Sequence, residues 1–208
     1  MDTTAKTRSQ RKPKGEGHVR RGEILVAAEQ IFVADGYEGA TIRKIADAVG
    51  VSSTALYLHF RDKAEILSEI CREAFEALHT RQAALISEHD DPMLRLRALL
   101  RCYADFGFHN VNAYRLAFMT YGAIGIDDED SLTRKVGADL YQSFENGVDQ
   151  ALPSGTDKAK TRVLAQLLWA SVRGLISIII VKPYIDWGDR EVLIETQLDL
   201  LLKGLASE

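Results

Sequence analysis

Residues 41–63 read TIRKIADAVGVSSTALYLHFRDK, and this stretch decides the fold of the chain around it. Its apolar residues recur at the spacing of one helix face from Thr41 onward. Gly50 then turns the chain, and a second short helix is expected through about His59. Two short helices joined by a tight turn form a helix-turn-helix, whose second helix can enter the major groove of DNA. An ordinary helical hairpin with solvated Ser and Thr side chains is the competing interpretation.

Helical periodicity extends over most of the chain, and residues typical of helix ends stand at its interruptions. The predicted helices cover about residues 20–34, 41–49, 52–59, 62–80, 92–108, 113–121, 131–152, 157–181 and 190–205. The expected N-caps include Thr41, Ser52 or Ser53, Asp62 and Asp91, and Gly36 is expected to end the first helix. The fold class is therefore all-α, with about nine helices and no visible repeat.

Three parts are predicted along the chain. Residues 1–19 are polar and basic and form a disordered arm, either a solvated tail or a segment that follows DNA phosphates. Residues 20–63 form a three-helix domain with the helix-turn-helix, and residues 64–208 form a larger helical domain. Residues 1–63 carry 11 Lys/Arg and 8 Asp/Glu, whereas the whole chain has a net charge of −4. This division of charge indicates that only the first part meets nucleic acid.

The composition predicts a cytoplasmic protein without a cofactor or a metal site. Cys71 and Cys102 have no metal-ligand spacing and are expected to be buried thiols in a reducing compartment. The basic N-terminus lacks the apolar core of a signal peptide, and polar residues interrupt the apolar run 164–181, so no membrane span is expected. The histidines are not grouped, and no nucleophile–base motif or glycine-rich phosphate loop is present, which argues against an enzyme.

Polar side chains of the motif are candidates for contact with DNA. The residues expected there on chemical grounds are Thr41, Ser53, Thr54, Tyr57, His59 and Lys63. Small hydroxyl residues can approach base edges, whereas Tyr, His and Lys can donate hydrogen bonds to phosphates. Helix N-termini also favour phosphate, because their amide groups lack partners within the helix.

Short motifs between about residues 20 and 70 are dense enough to indicate a family. They are AAEQIF and GY (27–32 and 36–37), TIRKIA and AVGVS (41–46 and 48–52), LYLHF (56–60) and KAEIL (63–67). The segment resembles the TetR family of bacterial transcriptional regulators. The resemblance implies an N-terminal DNA-binding domain and a C-terminal domain for dimerisation and ligand sensing. By the same resemblance, the DNA contacts are Thr41, Arg43, Ser52, Ser53, Thr54, Ala55, Tyr57, His59 and Lys63.

Some residues depart from the family's common pattern. Thr54 and Leu58 do so within the motif, and they bear on the operator sequence. In the C-terminal half, YRLAFM (114–119) and LWASVRGL (168–175) are similar to a TetR subgroup with a Trp-x-x-x-His-Gly signature. Arg173 stands in place of that histidine, so no role specific to histidine is transferred.

Aromatic side chains are frequent in the larger domain and can line an apolar ligand cavity. The candidate ligand-binding residues are Tyr103, Phe106, Tyr114, Phe118, Trp169 and Arg173. Plain core packing is the competing interpretation for each aromatic residue. A charge within an apolar helix needs a partner, so Arg173 is expected either to pair with an internal acid such as Asp105 or to meet an anionic ligand.

The last two predicted helices have apolar faces too wide for a monomer to cover. The candidate dimer-interface residues are Leu175, Ile176, Ile179, Ile194, Leu198 and Leu201. Two-fold pairing of both helices would bury them and would place two recognition helices about one DNA turn apart, or a multiple of it. The expected partners are therefore a second copy of the chain, a pseudo-palindromic double-stranded DNA operator and an unidentified small-molecule effector.

Together these inferences predict a sequence-specific transcriptional regulator, and the resemblance favours a repressor. A ligand in the larger domain would move the fourth helix, change the spacing of the two recognition helices and release the operator. The alternative is a ligand-independent or non-specific DNA-binding protein of nucleoid type.

Overall fold

The computed structural model describes residues 17–120 and 132–206, and these ranges contain helices and no strands. The α-helices are α1 (Gly17–Gly39), α2 (Ile42–Ala48), α3 (Ser53–Leu56), α4 (Lys63–Glu88), α5 (Pro92–His109), α6 (Val111–Tyr114), α7 (Leu132–Ala151), α8 (Lys158–Val181) and α9 (Arg190–Leu205). A π-helix, Arg115–Thr120, follows α6 directly. The all-α prediction is confirmed. Most of the predicted arm (1–16) and the segment 121–131 lie outside the described residues.

The chain divides into two compact units. The first unit contains the described residues 17–71 and 115–120, and the second contains 72–114 and 132–206. The helix α4 therefore begins in the first unit and continues into the second, and the chain enters the first unit again at Arg115. The predicted three-part division of the chain remains a prediction.

The first unit is built on the apolar faces of α1 and α2. Ile24, Ala28 and Phe32 are buried along one face of α1, as their helical spacing predicts. The other buried residues of the motif and of the start of α4 are Ile45, Ala46, Leu56, Phe60, Ile66 and Leu67. Gly36 has φ of 72°, which glycine adopts without steric cost, and it interrupts the helical geometry of α1. The helix was predicted to end at this glycine; the structure has a kink there, and α1 continues through Gly39.

Several helices differ in length from the prediction, among them α3 and α4. The recognition helix α3 ends at Leu56 rather than near His59, because the following residues form tight turns in which Phe60 N still donates to the Leu56 carbonyl at 3.1 Å. The helix α4 extends to Glu88, well beyond the predicted end near residue 80. Buried Gln82 lies in this extension, and its amide donates to a carbonyl of α5 at 3.4 Å.

In the second unit, α5 is the central helix and packs against α7, α8 and α9. The Asp91 side chain accepts a hydrogen bond from Leu94 N at 2.8 Å, so the predicted N-cap is confirmed. Buried leucine and tyrosine residues, including Leu99 and Tyr103, lie along α5 and form much of the unit's core.

Ion pairs fix α5 to α9. Arg101 donates to Glu191 and Glu195, and Arg97 donates to Glu195 and, at 2.7 Å, to Asp199. The hydrogen bond from Arg97, followed by that from Arg101, lowers the pKa of the Glu195 carboxyl group from its usual value. Both arginines keep less than a third of their side-chain surface exposed, so this network is partly shielded from water.

The helix α8 is, by length and composition alone, apolar enough to cross a membrane, with a mean hydropathy of 1.9 in its most apolar window. Its buried residues Ala165, Leu168, Val172 and Ile176 recur at helical spacing, and α8 packs against α5 and α7. Core helices of soluble proteins meet the same criterion, so this helix is weak evidence of a membrane span.

Candidate nucleic-acid interface

Two N-caps and one glycine fix the helix-turn-helix. The Thr41 hydroxyl accepts a hydrogen bond from Lys44 N at 3.2 Å, and the Ser52 hydroxyl accepts one from Ala55 N at 3.1 Å. Gly50, with φ of 70°, makes the turn between α2 and α3. Ser52 is thus the cap of the two serines that were considered. A hydroxyl that accepts a bond still has its own hydrogen to donate, so both caps are compatible with the predicted DNA contacts.

The recognition helix presents polar residues outward and apolar residues inward. Leu56 and Phe60 are buried in the first unit. Thr54 is exposed, Tyr57 keeps 54% of its surface exposed, and Ser53 is half-buried. Positions 54 and 57 are three residues apart, which places both side chains on one side of the helical turn. Thr54 and Tyr57, called here the reading face, are therefore exposed on the same side of the turn.

Leu58 follows the recognition helix and is 83% exposed, the highest value among the large hydrophobic residues that the structure describes. Its backbone N–H donates to the Ala55 carbonyl at 3.3 Å. From the sequence, Leu58 is only a departure from the family pattern and is not among the predicted DNA contacts.

Arg43, on the outward side of α2, is also accessible. Its Nε lies 3.8 Å from an Asp47 carboxylate oxygen, and both side chains are mostly exposed. Ion pairs of this kind contribute little stability, so Arg43 can exchange Asp47 for a phosphate at little cost.

Arg21 of α1 holds the turn that follows the recognition helix, a role that sequence reasoning missed. One guanidinium nitrogen donates to the His59 carbonyl at 2.7 Å, and another lies 3.2 Å from the Glu69 carboxylate of α4. The guanidinium also lies over the Phe60 ring, 4.1 Å from its centroid. The available signal was its spacing, because Arg21 precedes the buried Ile24 by three positions and so shares its helix face. The His59 side chain is half-buried.

Lys63, predicted at a phosphate, is directed toward the protein. Its ammonium group donates to the Tyr37 carbonyl at 2.8 Å and to the Ala40 carbonyl at 3.4 Å, and it lies 3.7 Å from Glu38. It also lies 4.2 Å from the centroid of the Tyr37 ring. Burial, followed by the charge of Asp62, raises the pKa of Tyr37. Lys63 therefore joins α4 to the end of α1, and its contact with DNA remains a prediction.

The start of α4 is held by a reciprocal pair of hydrogen bonds. Asp62 accepts from Glu65 N at 2.8 Å, and the Glu65 carboxylate accepts from Arg61 N at 2.6 Å. The backbone bond from Glu65 is the main cause of a lowered pKa of Asp62. The predicted capping box is confirmed, with the returning bond made one residue earlier than in the standard motif.

Four of the six candidate ligand-binding residues lie together in the second unit. The hydroxyl oxygens of buried Tyr103 and Tyr114 are 3.4 Å apart. The Arg173 guanidinium lies 5.2 Å from the centroid of the Trp169 ring. Burial, followed by Tyr114, raises the pKa of Tyr103, while the charge of Arg173 and a hydrogen bond from Trp169 oppose that rise. These four residues, called here the tyrosine cluster, combine apolar surface with polar groups.

The remaining candidates for the ligand site are placed differently. Phe106 is half-buried on α5, and Phe118 is half-buried in the π-helix of the first unit. The Asp105 carboxylate, considered as a partner for Arg173, accepts a hydrogen bond from Arg101 at 2.9 Å.

Three of the six residues predicted for a dimer interface are buried within the protomer. Ile176, Ile194 and Leu198 are at most 2% exposed because they pack inside the protomer, so they offer no surface to a second copy. Leu175, Ile179 and Leu201 are half-buried. The exposed apolar residues of these helices are instead Val163, Leu167, Ile178 and Val181 on α8 and Val192 and Leu200 on α9.

Known proteins match both parts of the chain. Residues 24–70 match the family model described as "Bacterial regulatory proteins, tetR family", and residues 96–201 match "Tetracyclin repressor-like, C-terminal domain". The HTH-type transcriptional repressor KstR2 of Mycobacterium tuberculosis is 30% identical over 168 residues, which cover 76% of this chain and 82% of that protein. The KstR2 structure has the same fold, with a TM-score of 0.71 at 20% identity over 89% of this chain and 94% of that one.

Two other relatives have different named roles. The HTH-type transcriptional activator FasR of Mycolicibacterium smegmatis is 33% identical over 126 residues, 57% of this chain and 58% of that protein. The nucleoid occlusion factor SlmA of Edwardsiella ictaluri is 31% identical over 166 residues, 76% of this chain and 81% of that protein. The two family models and the capped helix-turn-helix agree, and the chain belongs to the TetR family of bacterial DNA-binding transcriptional regulators.

Proposed function

We propose that this chain is a sequence-specific repressor that binds its operator as a homodimer in the cytoplasm and leaves it when a small molecule binds the second unit. The observation that carries the proposal is the exposed face of Thr54 and Tyr57 on a turn fixed by two N-caps and by Arg21. A reading face on a fixed turn loses little conformational freedom on binding. The similarity to KstR2, which is named a repressor, supports repression rather than activation.

The proposed contacts divide by chemistry. Thr41, Arg43 and Tyr57 donate to phosphates, and Ser53 and Thr54 approach base edges. The half-buried Ala55 supports the same turn, Lys63 acts mainly through the protein contacts described above, and the backbone carbonyl of His59 is held by Arg21.

The proposed dimer uses the outward faces of α8 and α9. Along α8 this face is a stripe of apolar and small residues three or four positions apart, namely Val163, Leu167, Ala170, Gly174, Ile178 and Val181. Gly174 has open space around its α-carbon, so a helix from a second copy can approach closely there. When two copies pair around a two-fold axis, α8 and α9 of each copy together form a four-helix interface. This supports the pairing inferred from the sequence.

The proposed effector site is the tyrosine cluster. Its mixture of buried phenols, an indole and a guanidinium fits an apolar molecule that carries a hydrogen-bonding or anionic group. The similarity of LWASVRGL to the subgroup with a Trp-x-x-x-His-Gly signature supports a sensing role for this helix. Because α4 belongs to both units, we infer that effector binding changes the position of α4 and thereby the affinity for DNA.

Selection of binding sites from random DNA tests the proposal. A pseudo-palindromic consensus is expected, and Tyr57→Phe should weaken binding to it by about two- to tenfold per protomer, because one phosphate hydrogen bond is lost. Tyr184→Phe is the matched control, since Tyr184 is 78% exposed and lies in the loop before α9. Failure to recover a consensus, or equal losses for both variants, would contradict the proposal. A reporter gene behind the selected site then distinguishes repression from activation.

The similarity to the nucleoid occlusion factor SlmA favours a second candidate, a DNA-binding protein whose role is not ligand-controlled transcription. Binding of selected and scrambled DNA across a range of salt concentrations discriminates between the purely non-specific form of this candidate and a regulator. A steep salt dependence that is equal for both DNAs supports non-specific binding, whereas a persistent preference for the selected site supports a regulator.

A further inference from the structure

We propose that Leu58 is a specificity-determining residue that contacts the C5-methyl group of a thymine in the operator. The inference rests on the DNA-binding function proposed above and goes beyond it, because it assigns a base preference to a residue outside the polar reading face.

Leu58 is more exposed than any other large hydrophobic residue that the structure describes. The neighbouring apolar residues Leu56 and Phe60 are buried and serve the core, whereas Leu58 is 83% exposed between them. Removal of a leucine side chain from water is favourable, so a surface that covers Leu58 gains affinity from it. Covering the Leu58 side chain therefore stabilises a complex, and the free protein does not have this stabilisation.

The position of Leu58 identifies the surface that would cover it. It directly follows Tyr57, and its N–H is bonded to the Ala55 carbonyl, so its backbone belongs to the same fixed turn as the reading face. Arg21 holds the next residue, His59, by its carbonyl at 2.7 Å. Position 58 is four residues after Thr54, so a turn that presents Thr54 to base edges carries Leu58 to the same groove.

The chemistry of the major groove restricts the bases that Leu58 can recognise. Among the four bases only thymine presents a methyl group there, and apolar side chains recognise it by direct contact. Leucine has no hydrogen-bonding group, so it cannot select any other base by a donor or an acceptor. A packing contact with a deoxyribose would also cover Leu58, but it would be independent of sequence.

Replacement of thymine by deoxyuridine removes only the methyl group and so tests the contact directly. Each thymine of the selected operator is replaced in turn, and the Kd is measured by fluorescence anisotropy for the wild type, Leu58→Ala, Leu58→Met and Val26→Ala. One symmetric pair of thymines should show a loss of about fourfold per half-site for the wild type, the amount expected for one buried methyl group. Leu58→Ala should show no loss at that pair, whereas Leu58→Met, which keeps an apolar contact, should retain part of it.

Val26→Ala is the matched control, because Val26 is 58% exposed on α1 in the same unit, and it should keep the full dependence on the methyl group. Equal melting temperatures would show that the variants fold. If Leu58→Ala keeps the wild-type response to deoxyuridine, or if no thymine responds in the wild type, the inference is overturned while the operator preference, and with it the proposed function, stands. If the wild type has no preference for any operator over random DNA, both fail.

Discussion

Gly107 occupies a position in α5 where a methyl group has no room. A Cβ there would lie 2.7 Å from Ile176 Cγ2 and 3.1 Å from Tyr114 Cδ2, and both neighbours are fully buried. We expect Gly107→Ala to lower the free energy of unfolding by roughly 1–3 kcal/mol through overpacking, as measured by urea denaturation. Gly22→Ala is the control, because α1 is open at Gly22, and it should be neutral or stabilising by up to about 1 kcal/mol. Unchanged stability of Gly107→Ala would contradict the packing described.

At the scale of single residues, the role of a side chain could be predicted when its partner is close along the chain, and not when its partner is distant. Thr41, Ser52 and Asp91 act as N-caps on amides three residues away, so the sequence alone contains the necessary information. Arg21 and Lys63 bind carbonyls that lie 38 and 26 residues away along the chain. Their partners depend on how the helices pack, and no local pattern specifies that.

At the scale of elements, Lys63 joins the start of α4 to the end of α1, and this role is separable from a phosphate contact. If Lys63 is structural, Lys63→Met should lower the free energy of unfolding by roughly 1–3 kcal/mol, because bonds from a charged donor to carbonyls are lost. The slope of log affinity for DNA against log salt should then stay constant. Titrations of stability and of DNA binding measure both quantities. Lys182→Met, at an exposed lysine after α8, should change neither.

A different result for Lys63→Met would contradict the structural role and would indicate a phosphate contact. A slope reduced by about 0.9 per protomer, with unchanged stability, would show that the ammonium group leaves its carbonyl partners and binds a phosphate in the complex.

The ion pairs between α5 and α9 make stability depend on pH. Arg97 and Arg101 lower the pKa of Glu195 in the folded protein. A carboxyl group with a lowered pKa stabilises the fold above its unfolded pKa of about 4.3, and this contribution is lost as the pH falls through the folded pKa. Urea denaturation between pH 7 and pH 3 should therefore show a steeper loss below about pH 4.5 for the wild type than for Glu195→Gln. Parallel curves for the two proteins would contradict this role of Glu195.

The presence of the helices could be predicted more reliably than the residues at which they end. The spacing of apolar residues identified every long helix, but α3 ends at Leu56 because Phe60 turns back into the core. The extension of α4 past residue 80 contains few apolar residues that face inward, and Gln82 is buried there through a hydrogen bond to α5. Tertiary contacts of this kind leave no periodic signal in the sequence.

At the scale of the whole molecule, the outward faces of α8 and α9 determine whether the proposed dimer forms. Leu167 is 58% exposed on α8, and a charge there would be buried without a partner in the dimer. Sedimentation analysis of Leu167→Glu should show a dimer dissociation constant raised by at least about tenfold, which corresponds to roughly 1.4 kcal/mol. Leu94→Glu is the control, because Leu94 is 57% exposed on α5. Equal association of the two variants would place the interface elsewhere.

The apolar character of α8 and α9 could be predicted, but the side that faces outward could not. Both helices carry apolar residues around most of their circumference, so periodicity did not distinguish the core from the surface. Ile176, Ile194 and Leu198 were expected at the interface and are instead buried in the protomer. Only the packing of α8 against α5, α7 and α9, and of α9 against α5 and α8, determines which face remains available.

We propose above all that the two recognition helices of a dimer, each held on a fixed turn, bind the two half-sites of one specific operator. The most direct test of this proposal is the affinity for the selected operator with five extra base pairs between its half-sites, measured at physiological salt. This insertion turns one half-site about half a helical turn away from the other. We expect the affinity to fall toward that for scrambled DNA, a loss of about a thousandfold or more. An affinity unchanged by the insertion would contradict it.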